Sequence, residues 1–217
     1  MPTIGFLHTS PVHVPTFTAL LAELAPEWQA IHQVDEPLLA EARQNGPDAP
    51  DILMQLQSHL TQLKEAGASQ IVCTCSTIGG IAEKQGEALD LPIHRVDRPM
   101  AAQAVALGPI LLVAALESTL APTSALLADE AARQNRALQV DTLACTEAWA
   151  FFEAGDPAGY HHAIANAIRT QLDHSATVPA AILLAQASMA GAANLLADLG
   201  IPVLSSPRSC VLAVTSP

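Results

Sequence analysis

The sequence resembles itself at a spacing close to half of its 217 residues. Self-similarity at a nearly fixed spacing indicates a duplicated structural unit, so we expect two similar halves. The three matching pairs, with offsets of 107, 112 and 110 residues, are Pro15–Glu23 with Pro122–Asp129, Cys75–Thr77 with Ala187–Met189, and Leu91–Ile93 with Ile201–Val203.

Short apolar runs alternate with longer segments of helical period in both halves, and small polar residues follow each run. This order is typical of a parallel sheet covered by helices, so the predicted fold class is α/β. Such sheets bind ligands at the carboxyl ends of their strands. The clearest runs are Thr3–Leu7, Gln70–Cys73, Ile110–Ala114 and Ala180–Leu184.

Composition and charge exclude several classes of protein. Hydrophobic residues make up 50% of the chain, which is enough to bury a substantial core. The net charge of -12 has the wrong sign for a nucleic-acid partner. No apolar stretch approaches the roughly 18 residues of a membrane span, and no basic segment precedes an apolar run near Met1. We expect a cytoplasmic protein with no membrane partner and with reduced cysteines.

Within the segment Ile71–Gly80, Cys75, Ser76 and Thr77 place a thiol and two hydroxyls where a buried strand is predicted to give way to a helix. A helix N-terminus favours anions, thiolates included, so Cys75 is predicted to act as a base or nucleophile. Strand alternation places Cys73 further back, in the core. Cys145 and Cys210 are also expected to be structural. The C-x-C spacing without a second cluster does not indicate a metal site.

Three short motifs stand out beside the duplicated halves: Val34-Asp35-Glu36, Cys75-Ser76-Thr77 and Leu184–Met189. With these motifs nearly the whole chain resembles the aspartate/glutamate racemase superfamily, which includes hydantoin racemases, maleate isomerases and arylmalonate decarboxylases. The resemblance implies two similar flavodoxin-like three-layer α/β/α domains, related by a pseudo-two-fold, with the active-site cleft between them. It implies a small carboxylate substrate, no cofactor, a catalytic Cys75 and a homodimer. It places residues 1–97 and 205–217, with a final strand, in one domain and residues 98–204 in the other.

The sequence departs from this family at one position. Racemising members use two cysteines, one for each face of the reacting carbon, but the second position falls on Ala187. Alanine cannot transfer a proton, and the adjacent Ser188 needs an activating partner to do so. Three mechanisms stay open: Cys75 protonates one face after loss of carbon dioxide, Cys75 adds to a double bond and lets it rotate, or another group serves the second face. Candidates for that group are His8, His13 and Glu117.

Hydroxyls at the predicted strand ends are candidates for binding the substrate carboxylate, because charge builds up there as an enediolate forms. Helix capping is the alternative role for the same residues. His8 ends the first strand and is a candidate to contact the carboxylate or to tune Cys75. Arg208 is a candidate for a bidentate pair with the carboxylate, or for a surface ion pair. The hydroxyl candidates are Thr9, Ser10, Ser76, Thr77, Thr119 and Ser188.

The scarcity of positive charge bears on the substrate. The chain has nine Lys and Arg residues and 21 Asp and Glu residues. A monocarboxylate with an apolar substituent is therefore as credible a substrate as aspartate or glutamate. A protein that binds a small carboxylate without transforming it also fits a chain with one thiol missing. The acidic residues Asp35, Glu36 and Asp97 are expected to have capping or hinge roles.

Overall fold

The chain folds into two α/β units, each built on a parallel four-stranded sheet, which confirms the predicted fold class. The computed structural model describes residues 1–216. The first unit comprises Met1–Arg98 and the residues from Pro207 onward, and the second comprises Pro99–Ser206. Within residues 1–216, no helix is both long and apolar enough to cross a lipid bilayer.

The sheet of the first unit has the strand order β2-β1-β3-β4, and all neighbours pair in parallel. The order of connection reverses between β1 and β3, which is the point where open α/β sheets bind ligands. Its strands are β1 (Thr3–His8), β2 (Gln29–Val34), β3 (Gln70–Cys73) and β4 (Ile93–Arg95). Its helices are α1 (His13–Leu24), α2 (Glu36–Asn45), α3 (Pro50–Glu65) and α4 (Ser76–Leu89).

The second unit repeats this arrangement with the order β6-β5-β7-β8, again all parallel. The same strand order in both units confirms the predicted duplication. Its strands are β5 (Ile110–Ala114), β6 (Val140–Ala144), β7 (Ala181–Leu184) and β8 (Val203–Ser205). Its α-helices are α5 (Arg98–Leu107), α6 (Leu120–Arg133), α7 (Trp149–Glu153) and α8 (Pro157–His174). Three 3-10 helices span Glu117–Thr119, Thr146–Ala148 and Ala187–Leu199.

The four predicted apolar runs form the two central strands of each sheet. β3 and β5 have the predicted bounds, β1 extends one residue further to His8, and β7 begins at Ala181 instead of Ala180. Every residue of β3, β5 and β7 is buried, because helices cover both faces of a parallel sheet. A continuous apolar run is therefore a reliable signal for these strands.

The outer strands lack that signal. β2 and β6 are edge strands with half-buried and exposed residues, and β4 and β8 have three residues each. An edge strand needs no continuous apolar run, because it pairs on one side only. The apolar-run criterion thus predicts only the middle of each sheet.

The predicted final strand is wrong, because the last segment forms helix α9 (Ser206–Thr215). Cys210, Val211 and Val214 are its buried apolar residues, and their spacing is that of one helix face. A hydrogen bond of 2.7 Å from Gln70 Nε2 to the Val214 carbonyl ties this helix to the first unit. The short apolar run Cys210–Val214 does not distinguish a strand from a buried helix by itself.

Candidate active site

Cys75 stands where β3 gives way to α4 in the first unit. It occupies the N-cap position with extended backbone angles, φ -105° and ψ 113°, and its side chain makes no capping hydrogen bond. The residue is 7% exposed. Its carbonyl accepts the Gly79 N–H at 2.8 Å, which is the first bond of the helix. The thiol is thus held at a helix N-terminus, where backbone N–H groups favour an anion.

Four hydroxyl residues of the first unit lie where β1 and β3 lead into the helices that follow them. β1 and β3 pair in register, with Leu7 opposite Cys73, and the Thr74 N–H continues the pairing by donating to the Leu7 carbonyl at 3.0 Å. The β1–α1 and β3–α4 turns therefore leave the sheet side by side. Thr9 and the half-buried Ser10 follow β1 in the first of these turns, and the buried Ser76 and Thr77 are the first two residues of α4 after the second.

His8 ends β1 and is fully buried. Its Nδ1 lies 2.8 Å from Thr74 Oγ1, and its Nε2 lies 2.9 Å from His32 Nδ1. His32 in turn reaches Thr18, with 3.0 Å between Nε2 and Oγ1. His8 is thereby attached to the residue that directly precedes Cys75. Its predicted contact with a carboxylate stays a prediction.

Burial keeps the histidines of this region neutral near pH 7. It lowers the pKa of His8 to about 3, with smaller contributions from His13 and His32, and lowers the pKa of His13 to about 4. The pKa of His32 is lowered by burial as well. His8 and His13 therefore have no positive charge to offer an anion, and neutral imidazoles can only donate or accept hydrogen bonds.

A buried ion pair lies at the end of β4, at the carboxyl end of the same sheet. Arg95 Nε and Nη2 donate to the two Asp97 carboxylate oxygens at 2.8 and 2.9 Å. The guanidinium packs against α4, since a Cβ added to Gly80 would lie 2.9 Å from Arg95 Nη1. Gly79 and Gly80 leave the space for this arginine, so the side chain is fixed beside the helix that begins after Cys75.

The second unit places Thr119 and Ser188 at the corresponding strand ends. Thr119 is buried at the N-cap of α6 without a capping hydrogen bond from its side chain. Ser188 Oγ lies 3.0 Å from Tyr160 Oη, whose pKa burial raises. Ala187, the position of the absent second thiol, is buried at the start of the third 3-10 helix, after Gln186. The predicted role of these hydroxyls in substrate binding stays a prediction.

Of the predicted hydroxyl residues, Thr119 occupies a helix N-cap, and its side chain makes no capping hydrogen bond. The side chains at the N-caps of α1, α4, α6 and the third 3-10 helix make no capping hydrogen bond. By contrast Asp35 caps α2 by accepting the Leu38 N–H at 3.1 Å, which confirms its predicted structural role. Asp156 caps α8 by accepting the Gly159 N–H at 2.9 Å. Side-chain caps therefore occur at α2 and α8 and not at the helices that follow the four central strands.

The other three cysteines behave as core residues. All are buried and none forms a disulfide. Burial raises the pKa of Cys73, where the neighbouring Cys75 adds to the effect, and raises the pKa of Cys145 to about 11. Burial and the nearby Asp97 charge raise the pKa of Cys210. These three therefore remain protonated thiols near neutral pH.

The structure gives Arg208 a surface role, and it gives His32 a contact that the sequence did not indicate. Arg208 lies on the exposed side of α9 and donates to Glu23 at 2.8 Å, which is the surface ion pair weighed as its alternative role. His32 has no distinguishing context in the sequence, yet it bonds to His8. The contact of His32 depends on the register of the edge strand β2, which the sequence pattern does not show. This register places His32 opposite Phe6, two residues before His8.

Known structures share this fold over essentially the whole chain. Glutamate racemase from Thermus thermophilus matches with a TM-score of 0.69 and 20% identity, covering 98% of this chain and 78% of that one. Aspartate racemase from Picrophilus torridus matches with a TM-score of 0.72 and 13% identity, covering 99% and 93%. An arylmalonate decarboxylase matches with a TM-score of 0.60 and 18% identity, covering 100% and 94%. Scans of protein-family models and of curated proteins found no match.

The chain therefore shares the fold of these two racemases and of the decarboxylase, which confirms the expected structural resemblance. At these identities the likeness defines architecture alone, and the chemistry has to be argued from the residues of this chain.

Proposed function

We propose that this protein is a cofactor-independent enzyme that acts at the carbon α to the carboxylate of a small acid or amino acid. Cys75 is its proton-transferring group. The observation that carries the proposal is the position of Cys75, at the N-cap of α4 beside the β1–β3 switch point, in a fold shared with racemases and a decarboxylase.

The surroundings of Cys75 suit the charge that such a reaction creates. When a proton leaves the α carbon, negative charge spreads onto the carboxylate as the enediolate forms. Donors already aimed at that position lower the barrier without reorganising. The α4 N-terminus supplies backbone N–H groups. Hydroxyls are supplied by Thr9 and Ser10 after β1 and by Ser76 and Thr77 in the first turn of α4. A metal or organic cofactor is not part of this mechanism.

The alternative reaction is decarboxylation followed by protonation of one face. Ala187 at the start of the helix after β7 favours it, because one thiol is sufficient when a proton is only added. The similarity to an arylmalonate decarboxylase agrees with this alternative. The product would be a single enantiomer, whereas a racemase would give both.

Charge favours a substrate with one carboxylate. Arginines near the strand ends are engaged with acidic side chains: Arg95 with Asp97 and Arg98 with Glu83. The net charge of -12 also disfavours a second negative charge on the ligand. We therefore propose an apolar-substituted monocarboxylate as the preferred class for exchange of the α proton; the decarboxylation alternative needs a second carboxylate as the group that is lost.

The experiment measures deuterium incorporation from D2O at the α carbon, and release of carbon dioxide, across amino acids, hydantoins, arylmalonates and maleate. We expect one class to react, and we expect Cys75→Ser to abolish the reaction while the matched variant Cys145→Ala retains it. Activity unchanged in Cys75→Ser would refute the assigned role of the thiol. Binding of a carboxylate without any reaction would instead identify a binding protein.

A further inference from the structure

A continuous chain of hydrogen bonds joins an exposed threonine to the residue before Cys75. Thr18 on α1 lies 3.0 Å from His32, His32 lies 2.9 Å from His8, and His8 lies 2.8 Å from Thr74. Thr18 is exposed, His32 is half-buried, and His8 and Thr74 are buried. This series of hydrogen bonds thus runs from the surface of the first unit to the β3–α4 turn.

The protons of this chain can all point toward the turn. Thr18 then donates to His32 Nε2, His32 Nδ1–H donates to His8 Nε2, and His8 Nδ1–H donates to Thr74 Oγ1. The Thr74 hydroxyl completes the series by donating to the Leu7 carbonyl at 3.1 Å. Two neutral imidazoles and two hydroxyls supply the four protons that these four bonds need.

The reverse arrangement is equally complete. The Thr74 hydroxyl donates to His8 Nδ1, His8 Nε2–H donates to His32 Nδ1, and His32 Nε2–H donates to Thr18 Oγ1. The Thr18 hydroxyl then donates to the Val14 carbonyl at 2.8 Å. The same heavy-atom positions therefore accommodate two neutral proton arrangements. They differ in the direction of the three bonds that join the side chains and in the carbonyl, Leu7 or Val14, that accepts the last hydroxyl proton.

The packing of the two rings favours neutral, well-positioned imidazoles. The His8 and His32 rings stack with centroids 5.2 Å apart, and Phe6 stacks on His32 at 5.2 Å. Phe17 contacts His8 at 5.8 Å between centroids, and the ring of His13 faces it at 6.1 Å. Burial that lowers the pKa of His8 to about 3 is consistent with this apolar setting.

We propose that Thr18, His32, His8 and Thr74 form a proton wire between bulk water and the turn that carries Cys75. A proton taken up at Thr18 drives one transfer at each of the three bonds that join the four side chains, and the Thr74 hydroxyl gives its own proton to the Cys75 thiolate in the same turn as it receives the proton from His8. The four side chains thereby pass from the first arrangement to the second, and together they hold four protons before and after the transfer. Passage of a proton outward restores the first arrangement.

The wire rests on the proposed function for its purpose. A buried thiol that removes or adds a proton must be reset in every turnover, and the turn beside it is largely closed to water, since Thr74 is 3% exposed and Cys75 is 7% exposed. His8 and His32 act here as relay and positioning residues, and no contact with substrate is assigned to them.

The test uses nitrogen-15 NMR of the histidine rings in the intact protein near pH 7. The wire requires His8 and His32 to carry the proton on the same ring nitrogen, both on Nδ1 or both on Nε2, or to alternate together. It also requires the His8 ring proton to exchange with water through His32. His32→Leu is therefore expected to slow that exchange roughly tenfold or more, leaving only local opening as a route.

The control is His59→Leu, which removes another half-buried histidine of the same unit, bonded to Asp35 and outside the wire. It is expected to leave the exchange of His8 unchanged. Opposite tautomers in the wild-type protein, or unchanged exchange in folded His32→Leu, would overturn the wire. Cys75→Ser leaves the ring exchange intact even if the proposed reaction fails, so the two failures are distinguishable.

Discussion

At the scale of single residues, burial decides which charged and titratable groups have structural roles. The Arg95–Asp97 pair is bidentate and almost fully buried, with side-chain exposures of 6% and 0%. Arg208 and Glu23 form a pair of similar length whose side chains are 55% and 57% exposed. A buried charge that loses its partner cannot recover its hydration, whereas an exposed one can.

We therefore expect Asp97→Asn to lower the free energy of unfolding by about 3 to 5 kcal/mol, since it leaves a buried guanidinium facing a neutral amide. Glu23→Gln should change it by less than about 1 kcal/mol. Urea denaturation of both variants measures the difference. Equal losses would contradict the distinction drawn between the two ion pairs.

The sequence predicted part of the candidate site at this scale. Cys75 and its neighbouring hydroxyls follow a recognisable buried strand, so their position could be inferred from local pattern alone. His32 and Thr18 could not, because their contact with His8 depends on the register of an edge strand that carries no apolar run. Contacts between distant segments require the sheet order, which single-sequence periodicity does not supply.

At the scale of the elements, the sequence patterns that predicted strands and helix starts correctly are those with a local physical cause. Central strands are buried on both faces and read as apolar runs, while the edges of each sheet are not. Asp35 before Glu36-Pro37 has the pattern of a helix start, and its side chain does cap α2. The expected final strand followed from the family resemblance and not from a local pattern of this sequence, and the segment forms helix α9 instead.

Asp35→Ala should cost about 1 kcal/mol in the free energy of unfolding through loss of the α2 cap. Asp35→Asn should retain the cap, since asparagine accepts the same N–H bond, and so isolates the contribution of the His59 contact. Asp51→Ala, an exposed residue in the first turn of α3, is the matched control and should be nearly neutral. A cost for Asp51→Ala as large as that for Asp35→Ala would contradict the capping argument.

At the scale of the whole molecule, the buried histidines give the fold a defined response to acid. His8 and His13 have folded-state pKa values of about 3 and about 4, below the ordinary value of 6.5. Between pH 6.5 and about 4.5 the unfolded chain takes up protons at these positions and the folded chain does not. Stability present above pH 6.5 is therefore lost as the pH falls.

We expect the free energy of unfolding to fall over this range by about 1.4 kcal/mol per pH unit for each of the two histidines. His13→Asn should make the slope shallower by about one proton, while the exposed His162→Asn should leave it unchanged. Denaturant titrations at several pH values measure the slope. A slope that does not respond to His13→Asn would show that this histidine is not neutral in the folded state.

Site-resolved alkylation of Cys75 by iodoacetamide, followed by mass spectrometry, tests the account most directly. A thiol used for proton transfer at the α4 N-terminus should react faster than a free model thiol at pH 7, and a saturating small monocarboxylate should slow it. The three core cysteines should stay unmodified under the same conditions. A Cys75 that reacts no faster than the model thiol, with or without carboxylate, would contradict the central claim.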